Sequence, residues 1–321
     1  MQSPGQVIVV LGTGGTIAGL AATPADNLDY RAAQVSVAAL VASAQTPASL
    51  AVESEQVAQI DSKDMDFATW RALALRLVHH ALRPEVAGIV ITHGTDTLEE
   101  TAYFLSRVVA LAKPVVLSAA MRPASSIDAD GPRNLADAIV LAAQPAWYGV
   151  AVVLAGQVHA ARDVRKTHPH RLDAFSSGES GTVANIAAGE IRRLRALPAG
   201  ADAVGVAVLP PSESAWPWVE ILTSTAGSDG RAVDALVRAG VDGIVVAATG
   251  NGTLHRRLGA ALDAAVGRGV RVLRSTRCLD GSIVAAGSET FASARDLTPV
   301  KARIELILSL LVERRSAQAI S

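Results

Sequence analysis

Two stretches carry hydroxyls where a chain can do chemistry: Leu-Gly-Thr-Gly-Gly-Thr-Ile-Ala-Gly at residues 11–19, and Gly-Ile-Val-Ile-Thr-His-Gly-Thr-Asp-Thr-Leu-Glu-Glu-Thr at residues 88–101. In each, an apolar run rich in β-branched residues ends in glycine and hydroxyls, the pattern of a parallel strand buried on both faces. The carboxyl end of such a strand is where open α/β sheets bind ligands. Gly14 and Gly15 let the backbone pass close to a ligand and bracket the hydroxyls of Thr13 and Thr16. A threonine there suits a nucleophile, provided a neighbour activates it. In the second stretch Asp96 and Thr97 are good caps with Glu99 and Glu100 behind them, which predicts Thr95 and Asp96 at a helix amino terminus. Plainer readings stand beside these: a structural glycine turn, and a capping role alone for Asp96.

Other chemistries fail on spacing. A dinucleotide fingerprint begun at Gly12 needs glycine where Ile17 stands, and begun at Gly14 it needs one at Thr16. There is no G-x-S-x-G elbow and no Walker loop. His79, His80, His168 and His170 fall in no metal-ligand pattern, so neither metal nor cofactor is expected. The formal charge of −1 gives no basic footprint for nucleic acid or a membrane surface, which leaves a small molecule as the expected partner. Cys278 is the single cysteine, so no internal disulfide forms. No apolar run approaches membrane-span length and the first residues lack a signal pattern, from which a cytoplasmic protein is expected.

The elements that must position these groups alternate along the chain. Strands are expected at residues 7–11, 52–60, 88–92, 114–118 and 149–155, and helices at 35–44, 67–82, from the second motif to about Leu111, and at 133–143. Residues 20–29, with Thr23, Pro24, Asp26 and Asn27, read as a loop over the site that ends at Tyr30. The polar run Asp61-Ser62-Lys63-Asp64 lies between a strand and a helix, and Ala119-Ala120-Met121-Arg122-Pro123 follows another strand. A composition shift at residues 191–211, with Arg192, Arg193 and Arg195 followed by prolines and glycine, reads as the interdomain connection. Beyond it the pattern recurs: strands at 218–222, 243–248 and 270–274, helices at 229–239, 254–266 and 299–314. The expected fold is α/β, two doubly wound domains with largely parallel sheets: a larger N-terminal one at residues 1–195, a linker at 196–215, and a smaller C-terminal one at 216–321. With 321 residues there is ample core for two.

Taken together, Thr-Gly-Gly-Thr-Ile-Ala-Gly and, some eighty residues later, His-Gly-Thr-Asp-Thr-Leu-Glu-Glu-Thr-Ala resemble the bacterial L-asparaginase family, closer to its type II branch. The resemblance covers almost the full length. It implies cofactor-free hydrolysis of L-asparagine to L-aspartate and ammonia, with L-glutamine as a second substrate. By it Thr16 attacks and Tyr30, at the end of the lid, relays the proton. Thr95, Asp96 and Lys166, the lysine of Asp163-Val164-Arg165-Lys166-Thr167, form a second polar group. Gly15 and Ser62 contact substrate, Ser62 at its α-carboxylate, while Asp96 has a second plausible role in receiving the α-ammonium. The Ala120 carbonyl accepts from the amide nitrogen. Asn251, in Ala248-Thr249-Gly250-Asn251-Gly252, reaches a neighbouring subunit's site, implying a homotetramer built from dimers that share active sites. By itself, Asn-Gly is most simply a turn.

Two departures stand out. Lys63 occupies a position commonly glutamine in that branch, where its ammonium could pair with a substrate carboxylate, pair with Asp61 or Asp64, or repel the α-ammonium. The segment 278–297 is short, and Glu289 does not register with the family's substrate-contacting glutamate. Three rival readings follow: an amidohydrolase preferring glutamine or another amide, a protein that binds asparagine with little turnover, and, weakest, a nicotinamide-binding enzyme.

Overall fold

The computed structural model describes residues 6–48, 50–110, 112–197, 203–284 and 290–320, so Leu111 and Glu289 lie outside it, as do residues 1–5. The chain divides into two compact units, residues 1–206 and 207–321.

In the first unit the strands are β1 (Val7–Gly14), β2 (Leu20–Ala21), β3 (Tyr30–Arg31), β4 (Ala51–Ile60), β5 (Val86–Thr92), β6 (Pro114–Ser118), β7 (Gly149–Leu154), β8 (Gln157–Ala160), β9 (Arg165–Lys166), β10 (Phe175–Ser176), β11 (Ala184–Ala187) and β12 (Glu190–Arg193). Helices α1 (Val37–Ser43), α2 (Phe67–Ala81), α3 (Leu98–Val108) and α4 (Gly131–Ala142) alternate with the long strands. The main sheet runs β12-β11-β8-β7-β6-β5-β1-β4. From β7 to β4 the pairs are parallel; β8, β11 and β12 add antiparallel. Ile8, Val10, Val90, Val116 and Val153 of the strands pack with Leu135 and Ile139 of α4 in one apolar cluster.

Local chemistry sets several boundaries. Ser36 caps α1 by accepting the Ala39 N–H, and Asp66 caps α2 by accepting that of Thr69 at 2.7 Å. The expected caps of α3 behave otherwise. Thr97 occupies the N-cap position without capping, because its hydroxyl donates to the Ser62 carbonyl, and the Asp96 carboxylate is drawn to Lys166. Capping alone therefore does not account for Asp96.

The residues expected to open the connection are not a free segment. Arg192 and Arg193 belong to β12, the guanidinium of Arg193 lies 4.4 Å from the Trp147 ring centroid, and Arg195 donates to Asp163 at 2.6 Å.

The second unit holds β13 (Val219–Thr223), α5 (Arg231–Ala239), β14 (Gly243–Ala248), α6 (Arg256–Val266), β15 (Arg271–Thr276), β16 (Ala292–Ser293) and α7 (Pro299–Ile320). Its sheet runs β13-β14-β15-β16, parallel throughout. Ile244 and Val246 pack against Val233 of α5 and Leu258 and Leu262 of α6. No helix among the described residues is long and apolar enough to cross a membrane.

Candidate active site

β1 and β5 are neighbours in register, Gly12 opposite Thr92, so the turns that follow them leave the sheet side by side. They meet backbone to backbone. A Cβ on Gly15 would stand 2.3 Å from both Cα and N of Gly94, and Gly15 adopts φ +81°. A Cβ on Gly94 would stand 2.4 Å from the Ser62 Oγ. Only glycine fits at either place, and three turns, after β1, β4 and β5, close on one point. Thr16 and Thr95 each follow this contact by one residue. Thr13 is spent on holding it: its buried hydroxyl donates to the Thr92 carbonyl at 2.9 Å, so of the two hydroxyls in the first turn Thr16 is the one left for chemistry.

Thr16, 8% exposed, lies 2.8 Å from the Tyr30 hydroxyl. Tyr30 is placed by the β2–β3 ribbon that closes the loop over the site. The loop is fastened at two points: the Ala21 N–H donates to Ser125 Oγ at 2.8 Å, and that of Ile127 to the Pro24 carbonyl at 3.0 Å.

The second group assembles from far apart in sequence. Lys166 stands on the β9–β10 ribbon opposite Phe175, and its ammonium donates to Thr95 Oγ at 2.9 Å and to Asp96 Oδ1 at 2.7 Å. The Thr95 hydroxyl, accepting from Lys166, keeps its own proton to donate. Its residue is 5% exposed.

Ser62 is buried, and its Oγ accepts the Asp96 N–H at 3.2 Å. Lys63 points to solvent and donates to Asp61 at 2.5 Å, with Asp64 at 3.8 Å. The Asp61 carboxylate holds the Lys63 ammonium above its ordinary range. Of the pairings open to Lys63, the internal one with Asp61 is formed. Ala120 is fully buried after β6, in a turn that runs along the Thr16 turn, where the Ala124 N–H donates to the Gly19 carbonyl at 2.9 Å. Asn251 belongs to the second unit, and its amide both donates to the Val284 carbonyl at 2.9 Å and accepts the Val284 N–H at 2.7 Å.

His93 has no role in the sequence reading, although it sits inside the second motif. Its ring is fully buried, with Nδ1 2.7 Å from the Gly94 carbonyl and Nε2 2.9 Å from Thr101 Oγ, which also accepts the Trp70 indole N–H at 2.9 Å. An indole only donates and a carbonyl only accepts, so the chain runs one way. Thr101 donates to Nε2, and the proton of the neutral ring sits on Nδ1. Burial depresses the imidazole pKa to about 4, which keeps the ring neutral. A histidine at a strand exit, ahead of a glycine with no room for a side chain, was the available signal.

Among the described residues no group of three or more histidine, cysteine, aspartate or glutamate side chains could hold a metal ion. What the arrangement offers is acid–base and nucleophilic chemistry: one hydroxyl beside a phenol, another beside an ammonium and a carboxylate.

Similarity to known proteins gives the class first. Residues 7–198 match the N-terminal asparaginase model, and residues 218–320 the glutaminase/asparaginase C-terminal domain. The protein is an amidohydrolase enzyme, and the chain belongs to the asparaginase family. It is 37% identical to L-asparaginase 2 of Bacillus subtilis over 94% of this chain and 82% of that one. It is 38% identical to L-asparaginase 2 of Escherichia coli, over 94% and 88%. A crystal structure of a probable cytoplasmic L-asparaginase from Campylobacter jejuni superposes with a TM-score of 0.86 at 36% identity, covering 95% of each chain.

Proposed function

We propose that the protein hydrolyses the side-chain carboxamide of L-asparagine, giving L-aspartate and ammonia, with Thr16 as nucleophile. The observation that carries this reading is the contact of Gly15 with Gly94, which sets the Thr16–Tyr30 pair beside the Thr95–Lys166–Asp96 group. An amide is a poor electrophile and a threonine hydroxyl a poor nucleophile, so each needs help. Thr16 Oγ bonds to the carbonyl carbon while Tyr30 takes its proton and passes its own phenolic proton to the leaving nitrogen. The C–N bond then breaks, ammonia departs, and a β-aspartyl ester remains on Thr16. Water held by Thr95 cleaves the ester and restores the hydroxyl. The Thr95 backbone N–H faces the oxyanion of each step.

Around the reacting atoms, the Ser62 hydroxyl binds the α-carboxylate, Asp96 receives the α-ammonium, and the Ala120 carbonyl accepts from the amide nitrogen. Gly15 lets the backbone close on the substrate. Lys63, beside Asp61, tunes the field at the amino-acid head group. Asn251 completes the site of a neighbouring copy in a homotetramer of site-sharing dimers, and dilution to monomers then abolishes activity. A fully active monomer refutes that part. No nucleic-acid or membrane partner enters this reading. We place the protein in the cytoplasm, in line with the probable cytoplasmic L-asparaginase from Campylobacter jejuni, although a Haemophilus influenzae relative is a probable periplasmic L-asparaginase. Cell fractionation decides between them.

A broader specificity has its own support, since a relative from Pseudomonas fluorescens at 35% identity is a glutaminase-asparaginase. Packing around one methylene separates two such substrates by only about 10- to 200-fold. Ammonia release from a panel of amides is the test: asparagine is expected to lead, with glutamine turned over more slowly. A chain that binds asparagine tightly by calorimetry yet frees no ammonia from any amide overturns the reading.

A further inference from the structure

The turn that carries Ala120 is held by two side chains on α4 and its approach. Asp130 occupies the N-cap position of α4 and makes no capping bond. Its carboxylate instead accepts the backbone N–H groups of Met121 and Arg122, each at 3.0 Å. Asn134, one helical turn on, donates to the Ala119 carbonyl at 2.9 Å and to Asp130 Oδ2 at 3.0 Å, and accepts the Ala155 N–H at 3.0 Å. The Ala120 carbonyl and the Met121 N–H belong to one planar trans peptide, so fixing the N–H fixes where the carbonyl points, away from Asp130. An anion accepting that N–H also polarises the amide and strengthens its oxygen as an acceptor.

Resting on the asparagine reading above, we propose that Asp130 and Asn134 are positioning residues that set the Ala120 carbonyl as the acceptor for the amide N–H, and so select carboxamides over esters. Neither touches the substrate. Burial raises the Asp130 carboxyl above the usual range, opposed by the backbone N–H groups it accepts.

The test compares L-asparagine with L-aspartate β-methyl ester, which has no N–H to offer the Ala120 carbonyl. Asp130→Asn keeps the shape, removes the charge and turns one of the two accepting oxygens into a donor that faces an N–H. Since a charge-assisted hydrogen bond is about twice as strong as a neutral one, kcat/KM for asparagine is expected to fall about ten- to a hundredfold, and for the ester less than about twofold. Equal losses on both substrates, or none on either, overturn the proposal. Asn134→Ser, which frees the Ala119 carbonyl while leaving Asp130 in place, is judged by the same ratio if Asp130→Asn does not fold. Wild-type enzyme that frees no ammonia from asparagine sinks the functional reading itself, whereas active wild type with proportional losses sinks only this inference.

Discussion

His93 makes the stability of the first unit sensitive to mild acid in a way that can be worked out from its surroundings. Its ring is neutral in the native state with a pKa of about 4, against 6.5 for the unperturbed side chain. The sign follows from proton counting. Below 6.5 the unfolded chain binds a proton at this ring and the folded one does not, so the stabilisation is complete above 6.5 and fades as pH falls toward 4. At 1.36 kcal/mol per unit, the whole window is about 3 kcal/mol, and about 2 kcal/mol of it is gone by about pH 5. The groups hydrogen-bonded to the ring, Thr101 and the Gly94 carbonyl, do not titrate there. His93→Asn keeps a donor for the Gly94 carbonyl and removes the titration. Urea unfolding of both proteins at about pH 7.5 and about pH 5 gives a double difference in which every other titrating group cancels. Wild type should lose about 2 kcal/mol more than the variant. Equal losses, within about 0.5 kcal/mol, would show that the ring is not held neutral and that the one-way chain from Trp70 to Gly94 is misread.

Other outcomes follow from the same geometry. Thr16→Ala and Thr95→Ala should each lower turnover at least about a hundredfold with unchanged circular dichroism, and near-normal activity in either removes it from the chemistry. Lys63→Gln should change KM for asparagine while leaving thermal unfolding where it was, because an exposed pair with Asp61 contributes little to stability. An unchanged KM takes Lys63 out of the pocket. Ala188, at φ +51° ahead of Gly189 in the β11–β12 hairpin, occupies a position that favours asparagine. Ala188→Asn should raise stability by about 0.5–1 kcal/mol, read as a higher Tm.

The long parallel strands were legible because residues such as Ile8 to Leu11 and Val115 to Leu117 are buried on both faces and must therefore read as continuous apolar runs. The two glycine turns were legible for a related reason, since close backbone contact admits only glycine. The antiparallel edge was not. β8, β11 and β12 are four residues each, and in β11 exposed Asn185 and Ala187 alternate with buried Ala184 and Ile186, a pattern too short to stand out. The stacking of Arg193 on Trp147, some 46 positions away, leaves no local trace. Asp96 and Asp130 each look like helix caps, and in both the carboxylate is claimed by a partner distant in sequence or in an earlier turn. Local propensity names the residue types; tertiary contacts decide which bond each one makes.

The closure of the β1 and β5 turns on Gly15 and Gly94 has a consequence for how this scaffold can change. Where two active-site walls are separated by side chains, a smaller residue widens the gap and a larger one narrows it. Here main chain rests on main chain, so the spacing is as stiff as the sheet that bears it, and no substitution at the seam can retune it. Adaptation to a longer or bulkier amide has to come through the walls that do carry side chains, the lid around Tyr30 and the helix-borne clamp behind Ala120.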